Sequence, residues 1–162
     1  MTAEKVCEKM IEYYKGDVKR INHFLKVYAF AKTIGKLENL PENQQLLLEI
    51  SALTHDIGIK VSEEKYASSA GKYQEQEGPA IAEKLLDSLD FDKDFIADVC
   101  YLIAHHHTYT NINSTVYQIL VEADFIVNIF EDSLEKDAVL TIKNKIFRTK
   151  SGINILENLY LS

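Results

Sequence analysis

Apolar residues recur every three to four positions along most of the chain, which is the spacing that lines one face of an α-helix. Glycine and proline are scarce, with 6 and 2 occurrences among 162 residues. No internal repeat, low-complexity tract or Ser/Gly-rich linker interrupts the pattern. The sequence therefore predicts an all-α fold that forms one compact bundle over residues 1–162. We expect a core over about 20–130 and additional C-terminal helices over 134–160.

The ends of the helices are predicted from capping residues, glycine and proline. Gly35 is expected to end the second helix, Pro41 to begin the third, and Gly78-Pro79 to begin the fourth. Polar residues are expected at the later N-caps, namely Asp92 and Ser114 or Thr115. The predicted helices cover about 3–14, 18–35, 41–56, 78–89, 92–106, 114–130, 134–147 and 153–160.

Residues 59–77 carry several serines and charges and lack a sustained apolar period. We expect a long loop there, with at most one turn of helix. Loops of this length in a compact domain tend to be functional, so the segment is a candidate lid. Tyr66 or Tyr73 within it could stack on a base, and Lys72 could contact a phosphate group.

The charge balance and the cysteines exclude several classes of protein. The chain has 25 acidic and 18 basic residues, a net charge of -7, and no basic run that could follow a nucleic-acid polymer. Cys7 and Cys100 lie far apart, which favours a reducing compartment over a disulfide framework and predicts a cytoplasmic location. No signal peptide is predicted at the N-terminus, and no apolar run is long enough to predict a membrane span.

Five histidines are the main chemical signal, because each lies in or at the end of a predicted helix, near an apolar stripe. His23 shares its helical face with Val27 and Ile34, so its imidazole should point inward. For His23 alone, a hydrogen-bonded core histidine is the simpler interpretation. His55-Asp56 lies at a predicted helix end, where fraying of the last turn would let both side chains converge on one ion.

Asp124 lies in a strongly apolar helical segment, so its carboxylate must be paired, protonated or metal-bound. A Lys or Arg from another element is the alternative partner. His105, His106 and His107 follow another apolar stripe, and at least one of them should face the core. The alternative for this run is a helix C-terminus at which histidines are favoured by the helix dipole.

The order of His23, then His55-Asp56, then Asp124 resembles the H…HD…D signature of the HD superfamily of metal-dependent phosphohydrolases. The similarity extends from about residue 20 to residue 128. It implies a helical HD-domain fold in which these four residues bind a divalent ion.

Some branches of that superfamily, such as bacterial dinucleoside-tetraphosphate hydrolases, carry extra ligands and hold a second ion. His106 and His107 match their added histidines. Glu77 precedes Gly78-Pro79 where that branch has a histidine. The resemblance therefore implies one or two ions, with His106, His107 and Glu77 as possible ligands of the second.

Imidazole and carboxylate ligands without a thiolate favour Mn, Fe, Ni, Co or Zn, with Mg also possible. Such an ion acidifies bound water and polarises a phosphoryl oxygen. We therefore expect hydrolysis of a phosphate ester or anhydride of a small molecule, with a nucleotide as the expected substrate. Asp56 is the expected bridge between two ions, and His106 or His107 could protonate the leaving group.

Contacts to the substrate are expected from Arg20 and Lys26, which lie within a helical turn of His23, and from Lys72 and Tyr73. For each of them an ordinary surface position is the alternative. Two other functions remain open, a regulatory domain that binds metal or nucleotide without turnover and a di-iron oxygenase. The oligomeric state is also open, with a homodimer as one option.

Overall fold

The computed structural model describes residues 1–162 and contains nine α-helices and no strand, which confirms the all-α prediction. The helices are α1 (Ala3–Tyr13), α2 (Val18–Leu37), α3 (Glu42–Thr54), α4 (Ile59–Tyr66), α5 (Gly71–Asp87), α6 (Lys93–His105), α7 (Thr115–Glu131), α8 (Lys136–Lys145) and α9 (Lys150–Tyr160). None of them is both long enough and apolar enough to cross a bilayer.

Two of the predicted N-caps are confirmed by hydrogen bonds. The Asp92 carboxylate accepts from the backbone N–H of Asp94 at 2.9 Å, at the start of α6. The Ser114 hydroxyl accepts from the backbone N–H of Tyr117 at 3.1 Å, at the start of α7. Each cap satisfies a donor that the first turn of a helix leaves free.

Gly35 does not end α2, which continues to Leu37, so the predicted end is wrong by two residues. A Cβ on Gly35 would lie 2.8 Å from Leu48 Cδ2 and would also clash with the Gln45 side chain. The glycine therefore allows α3 to approach α2 closely. The chain reverses instead at Asn39, whose φ of 56° is one that Asn tolerates.

The predicted loop over residues 59–77 is also wrong, because Ile59–Tyr66 forms α4 and α5 begins at Gly71. Only 67–70 lie between the two helices, and Gly78-Pro79 lies inside α5 instead of starting it. The backbone of α5 packs closely on the turn before α4, where a Cβ on Gly58 would lie 2.7 Å from Gln74 O and 2.8 Å from Gly78 N. This packing favours a helix through Pro79 although the proline removes one backbone hydrogen bond.

Buried apolar side chains form two clusters. Core 1 lies among α2, α3, α7 and the C-terminal helices and includes Val27, Ile34, Leu48, Leu120, Val127 and Leu156. Core 2 lies among α1, α2, α3, α5 and α6 and includes Met10, Phe24, Leu53, Leu86, Val99 and Ile103. Helices α2 and α3 contribute to both cores, so the two clusters meet along these helices.

A buried carboxylate joins α7 to the C-terminal helices. Glu122 is fully buried and accepts from the backbone N–H groups of Arg148 and Thr149 at 3.0 and 3.1 Å. It also accepts from the Thr149 hydroxyl at 2.6 Å and the Gln118 amide at 2.6 Å. Glu122 thus fixes the link between α8 and α9 against α7.

Replacing Glu122 with alanine is expected to lower the free energy of unfolding by about 2 kcal/mol, because buried backbone N–H groups lose their acceptor. Denaturant titration of the metal-free protein measures this change. Glu157→Ala is the matched control, since Glu157 forms only an exposed ion pair with Lys143 and should cost less than about 1 kcal/mol. Equal costs for the two variants would contradict the role of Glu122.

Candidate metal centre

Three elements bring the four signature residues together at the contact between the two cores. His23 projects from α2, and Asp124 from α7. Helix α3 ends at Thr54, so His55 and Asp56 lie in the turn that follows it. His55 keeps helical backbone angles, φ -55° and ψ -36°, and the Ile57 N–H donates to the Thr54 carbonyl at 3.0 Å, so this turn directly continues α3.

Helix α1 anchors this turn through two tyrosine hydroxyls. Tyr14 donates to the carbonyl oxygen of Asp56 at 2.7 Å, and Tyr13 donates to that of Ile57 at 3.3 Å. Gly58 closes the turn against α5. The backbone that carries His55 and Asp56 is therefore held from both sides.

The side chains of His23, His55, Asp56 and Asp124 converge on one point. His23 Nε2 lies 3.1 Å from Asp56 Oδ2, 3.2 Å from Asp124 Oδ1 and 3.2 Å from His55 Nε2. His55 Nε2 lies 3.4 Å from each of the same carboxylate oxygens. For metal–ligand distances of about 2.1 Å, adjacent ligand atoms are about 3.0 Å apart in an octahedral site and about 3.4 Å apart in a tetrahedral one.

Three histidines present the same nitrogen to the site. His55 Nδ1 lies 2.6 Å from the Ala52 carbonyl, and His106 Nδ1 lies 2.7 Å from the Ile103 carbonyl. A carbonyl can only accept, so both Nδ1 atoms carry hydrogen and, in the neutral ring, each Nε2 has a lone pair. His23 Nδ1 faces the Glu131 carboxylate at 3.1 and 3.2 Å, so it also carries hydrogen and directs Nε2 to the site. This arrangement orients imidazoles for metal binding.

Burial and charge explain the protonation of this cluster without an ion. Burial alone would lower the pKa of His23, but the carboxylates of Asp124 and Asp56 raise it to about 10. Burial alone would raise the pKa of Asp124, but the nearby histidines, His55 first, lower it below its usual range. The same competition, with His55 and His106 as the main partners, lowers the pKa of Asp56. The cluster thus holds protons that a cation can replace.

Two atoms show that the residues fit a bound ion. Asp124 Oδ1 and His106 Nε2 are buried and have no hydrogen bond of acceptable geometry. Buried polar atoms are nearly always satisfied, so such atoms call for an explanation. A divalent cation held by imidazole and carboxylate ligands supplies one. His23, His55 and Asp56 form one potential ligand group, and Asp124 Oδ1 lies 3.2 Å from His23 Nε2 beside it, so these four residues fit such an ion.

A second potential ligand group lies beside the first and contains Asp56, His106 and His107. His106 Nε2 is 3.4 Å from Asp56 Oδ1, so the two Asp56 oxygens face different histidines. His107 is oriented differently. Its Nε2 lies 2.8 Å from Gln74 Oε1, and the Gln74 amide donates in turn to the Ser69 carbonyl at 2.6 Å.

This chain of hydrogen bonds fixes the proton on His107. The Ser69 carbonyl can only accept, so the Gln74 NH₂ group faces it and Gln74 Oε1 faces His107. His107 Nε2 is therefore a donor and presents no lone pair to Asp56. Burial and repulsion from His106 lower the pKa of His107 to about 4, so the ring is neutral at physiological pH.

Glu77 does not join either ligand group. Its carboxylate accepts from the Tyr66 hydroxyl at 2.7 Å and pairs with Lys65 at 3.1 Å. Because α5 begins before Gly78-Pro79, the residue that approaches the histidines is Gln74, three positions earlier on the helix. The predicted ligand role of Glu77 has no support in this arrangement.

The predicted substrate contacts are separated by the fold. Arg20 lines the cavity above the ligands and is paired with Asp17 and Glu63. Lys26 is paired with Glu131 at 2.9 Å and does not line the cavity. Tyr73 stacks on Tyr66, with ring centroids 4.1 Å apart, and Lys72 lies over the Tyr73 ring.

A cavity of about 370 Å³ gives access to the ligands. Its floor contains His23, Asp56, Asp124 and His107, and eleven of its twelve lining residues are not hydrophobic. A larger groove of about 870 Å³ between α3, α6 and the start of α7 contains none of the signature residues. The smaller cavity is therefore the candidate active site, because it contains potential metal ligands and the larger groove does not.

Glu131 and Gln74, the two residues that orient the histidines, were not predicted from the sequence. Glu131 follows Asp124 by seven positions and so lies on the same face of α7, a signal that was available. Gln74 offered no such signal, because its segment was predicted to be a loop. Both act through a histidine, Glu131 on His23 and Gln74 on His107.

Replacing Glu131 with leucine is expected to weaken metal binding about 10- to 100-fold, because His23 loses the acceptor that orients its ring. Glu131→Gln keeps an acceptor oxygen and should weaken binding less than tenfold. Titration calorimetry with Mn²⁺ measures both. Lys26→Ala is the matched control, since it removes the other partner of Glu131 and leaves His23 in place. Wild-type affinity in Glu131→Leu would show that the contact is incidental.

Comparison with known proteins gives two matches. A family model described as HD domain matches residues 20–147. The chain is also similar to the crystal structure of a predicted HD superfamily hydrolase from an uncultured Thermotogales bacterium. The two chains are 23% identical, the match covers 98% of this chain and 84% of that chain, and the TM-score is 0.71. No curated protein matches. At this identity, the structural match shows a shared fold.

Proposed function

This chain belongs to the HD-domain family, and from that premise we propose that it is a metal-dependent hydrolase of a phosphate ester or anhydride in a small molecule. One observation carries the proposal. The Nε2 atoms of His23 and His55 and one oxygen each of Asp56 and Asp124 meet within 3.1 to 3.4 Å at the floor of a polar cavity.

His23, His55, Asp56 and Asp124 would hold the first divalent ion. When bound, such an ion acidifies water and stabilises negative charge on a phosphoryl group. Mn, Fe, Ni, Co and Zn all suit this ligand set, and Mg is possible. One ion would be enough for this chemistry, and a second could bind beside it through Asp56 and His106.

The protein groups around these ligands have separate roles in the proposed reaction. Asp56 directs one oxygen to His23 and the other to His106, so it orients both sides of the centre. The lone pair on His106 Nε2 is positioned to bind a second ion, and without that ion the doubly protonated ring would donate a proton from Nε2 to the leaving group. Neutral His107, fixed by Gln74, adds no charge that would oppose metal binding.

The cavity wall supplies positive charge for an anionic substrate. Arg20 and Lys19 both line it, next to His23 along α2. Arg20 is constrained by its acidic partners, whereas Lys19 forms no ion pair within the chain. We propose that Lys19 and Arg20 attract the phosphate group of the substrate, which the net charge of -7 would otherwise repel.

The direct test uses protein purified without chelator. Elemental analysis should find a divalent transition metal, and the protein should release phosphate from some compound in a panel of sugar phosphates, nucleotides and pyrophosphate. Chelation should abolish the activity, and Mn²⁺ or Fe²⁺ should restore it. Protein that stays inactive on the whole panel after either metal is added would overturn the proposal.

The same measurements separate the two alternative functions. Tight binding of metal and phosphate compounds without turnover would select a regulatory domain. Dioxygen consumption that depends on reduced iron would select an oxygenase. The neutral, hydrogen-bonded His107 and the polar cavity favour neither of them over hydrolysis.

A further inference from the structure

Several polar side chains in the cavity wall are free to bind a ligand. Lys19, Ser69, Asn128 and Asp132 line the cavity, and their side chains form no hydrogen bond or ion pair within the protein. This contrasts with Arg20, His107 and Gln74, which line the same cavity but whose side chains all have partners. The wall therefore offers unused donors and acceptors beside the proposed metal ligands.

Three of these side chains lie one or two helical turns from a proposed metal ligand. Asn128 follows Asp124 by four positions along α7, Asp132 is the C-cap of that helix, and Lys19 precedes His23 by four along α2. At a rise of about 1.5 Å per residue, Asn128 lies about 6 Å from Asp124 and Lys19 about 6 Å from His23 along the helix axes. A substrate with its phosphate at the ligands would place its next three to five carbons beside Asn128 and Lys19, with Asp132 one turn farther out.

The wall offers hydroxyl-binding chemistry and no Phe, Tyr or Trp ring. Ile59 is the one hydrophobic residue that lines the cavity. Tyr73 is stacked on Tyr66, and Tyr109 packs against Phe125 with ring centroids 5.0 Å apart. Proteins bind nucleobases by stacking them on such rings. A base would therefore find no Phe, Tyr or Trp ring to stack on in this cavity.

We propose that the substrate is a phosphorylated polyhydroxy compound, such as a sugar phosphate. It is recognised by its phosphate and by hydroxyl groups that bind Asn128, Asp132, Ser69 and Lys19. This inference rests on the proposed function and narrows it, because the base of the nucleotide expected from the sequence would lack a Phe, Tyr or Trp ring to stack on.

Ribose 5-phosphate and AMP form a matched pair for the test, since they share the phosphorylated ribose and differ in the base. With Mn²⁺-loaded wild-type protein, kcat/KM for ribose 5-phosphate should equal or exceed that for AMP. A higher kcat/KM for AMP would overturn the inference, as would activity on neither compound.

A third substrate separates this inference from the proposed function. p-Nitrophenyl phosphate carries a phosphate without hydroxyl groups and reports phosphate hydrolysis alone. Activity on it with a preference for AMP over ribose 5-phosphate would overturn only the inference. No phosphate release from any of the three monoesters would overturn the inference, and inactivity on pyrophosphate and the rest of the panel as well would overturn both.

Asn128→Ala tests the recognition of hydroxyl groups directly. It should lower kcat/KM for ribose 5-phosphate about tenfold more than kcat/KM for p-nitrophenyl phosphate, because only the sugar loses a partner. Asn158→Ala is the control, since Asn158 lies on α9 and its amide bonds to Asn154. Equal losses on the two substrates in Asn128→Ala would assign that side chain a structural role and contradict the inference.

Discussion

Replacing His55 with alanine is expected to remove the bound metal and to lower the rate of phosphate release by about a thousandfold or more. His55 is fully buried, and its Nε2 lies within 3.4 Å of both carboxylates that would share the ion. A loss of that size corresponds to about 4 kcal/mol of transition-state stabilisation, within the range that a bound metal contributes. Elemental analysis and a phosphate-release assay on the same sample measure the two effects.

Two further variants keep this result interpretable. Asp124→Asn preserves volume and should lose metal and activity even if His55→Ala folds poorly. His105→Ala is the matched control. His105 precedes His106 and His107 in the chain, but its Nδ1 bonds to the Tyr101 carbonyl and it does not line the cavity. A fully active His55→Ala protein, or an inactive His105→Ala protein that is still folded, would assign the chemistry to another site.

Replacing Gly58 with alanine is expected to lower the free energy of unfolding by about 3 kcal/mol, at the upper end for an overpacked contact. The new Cβ would lie 2.7 Å from Gln74 O, 2.8 Å from Gly78 N and 3.0 Å from Gly78 Cα, all backbone atoms of α5. A helix backbone cannot rotate away as a side chain can. For a chain of this length the change corresponds to a fall in Tm of about 10 °C, which calorimetry can measure.

Two other glycines provide the comparison. Gly16 has a φ of 86° and no neighbour within 4 Å, so Gly16→Ala should cost only the backbone strain, about 1 kcal/mol. At Gly78 the close atom is Ile103 Cγ2, part of a side chain that can move, so Gly78→Ala should be intermediate. Equal effects at Gly16 and Gly58 would show that the turn and α5 do not need their close approach.

Much of this architecture could be predicted from local sequence patterns. The helical class follows from apolar spacing, and the caps at Asp92 and Ser114 follow from the hydrogen bonds that these side chains make within one turn. The sequence also predicted that His23, His55-Asp56 and Asp124 would converge, and the structure brings them together.

The wrong predictions share a physical cause, because each involves a residue whose role depends on another helix. Gly35 and Pro79 are local signals for helix ends, yet both lie inside helices that pack closely on neighbours. The helix through Pro79 in turn brings Gln74 to His107 and leaves Glu77 with Lys65. A long-range contact of this kind has no signature in a single segment of sequence.

The position of the ligands between the two cores has a consequence for how the molecule unfolds. His23 and Asp124 lie one helical turn before Val27 and Val127 of core 1, whereas His55-Asp56 and His106 lie within three residues of Ile57 and Ile103 of core 2. An ion held by both sets would cross-link the two halves, so separating them would also require breaking coordination bonds. Without the ion, the halves could open independently and their amides would exchange hydrogen at different rates. With the ion bound, the whole bundle would open as a single cooperative unit.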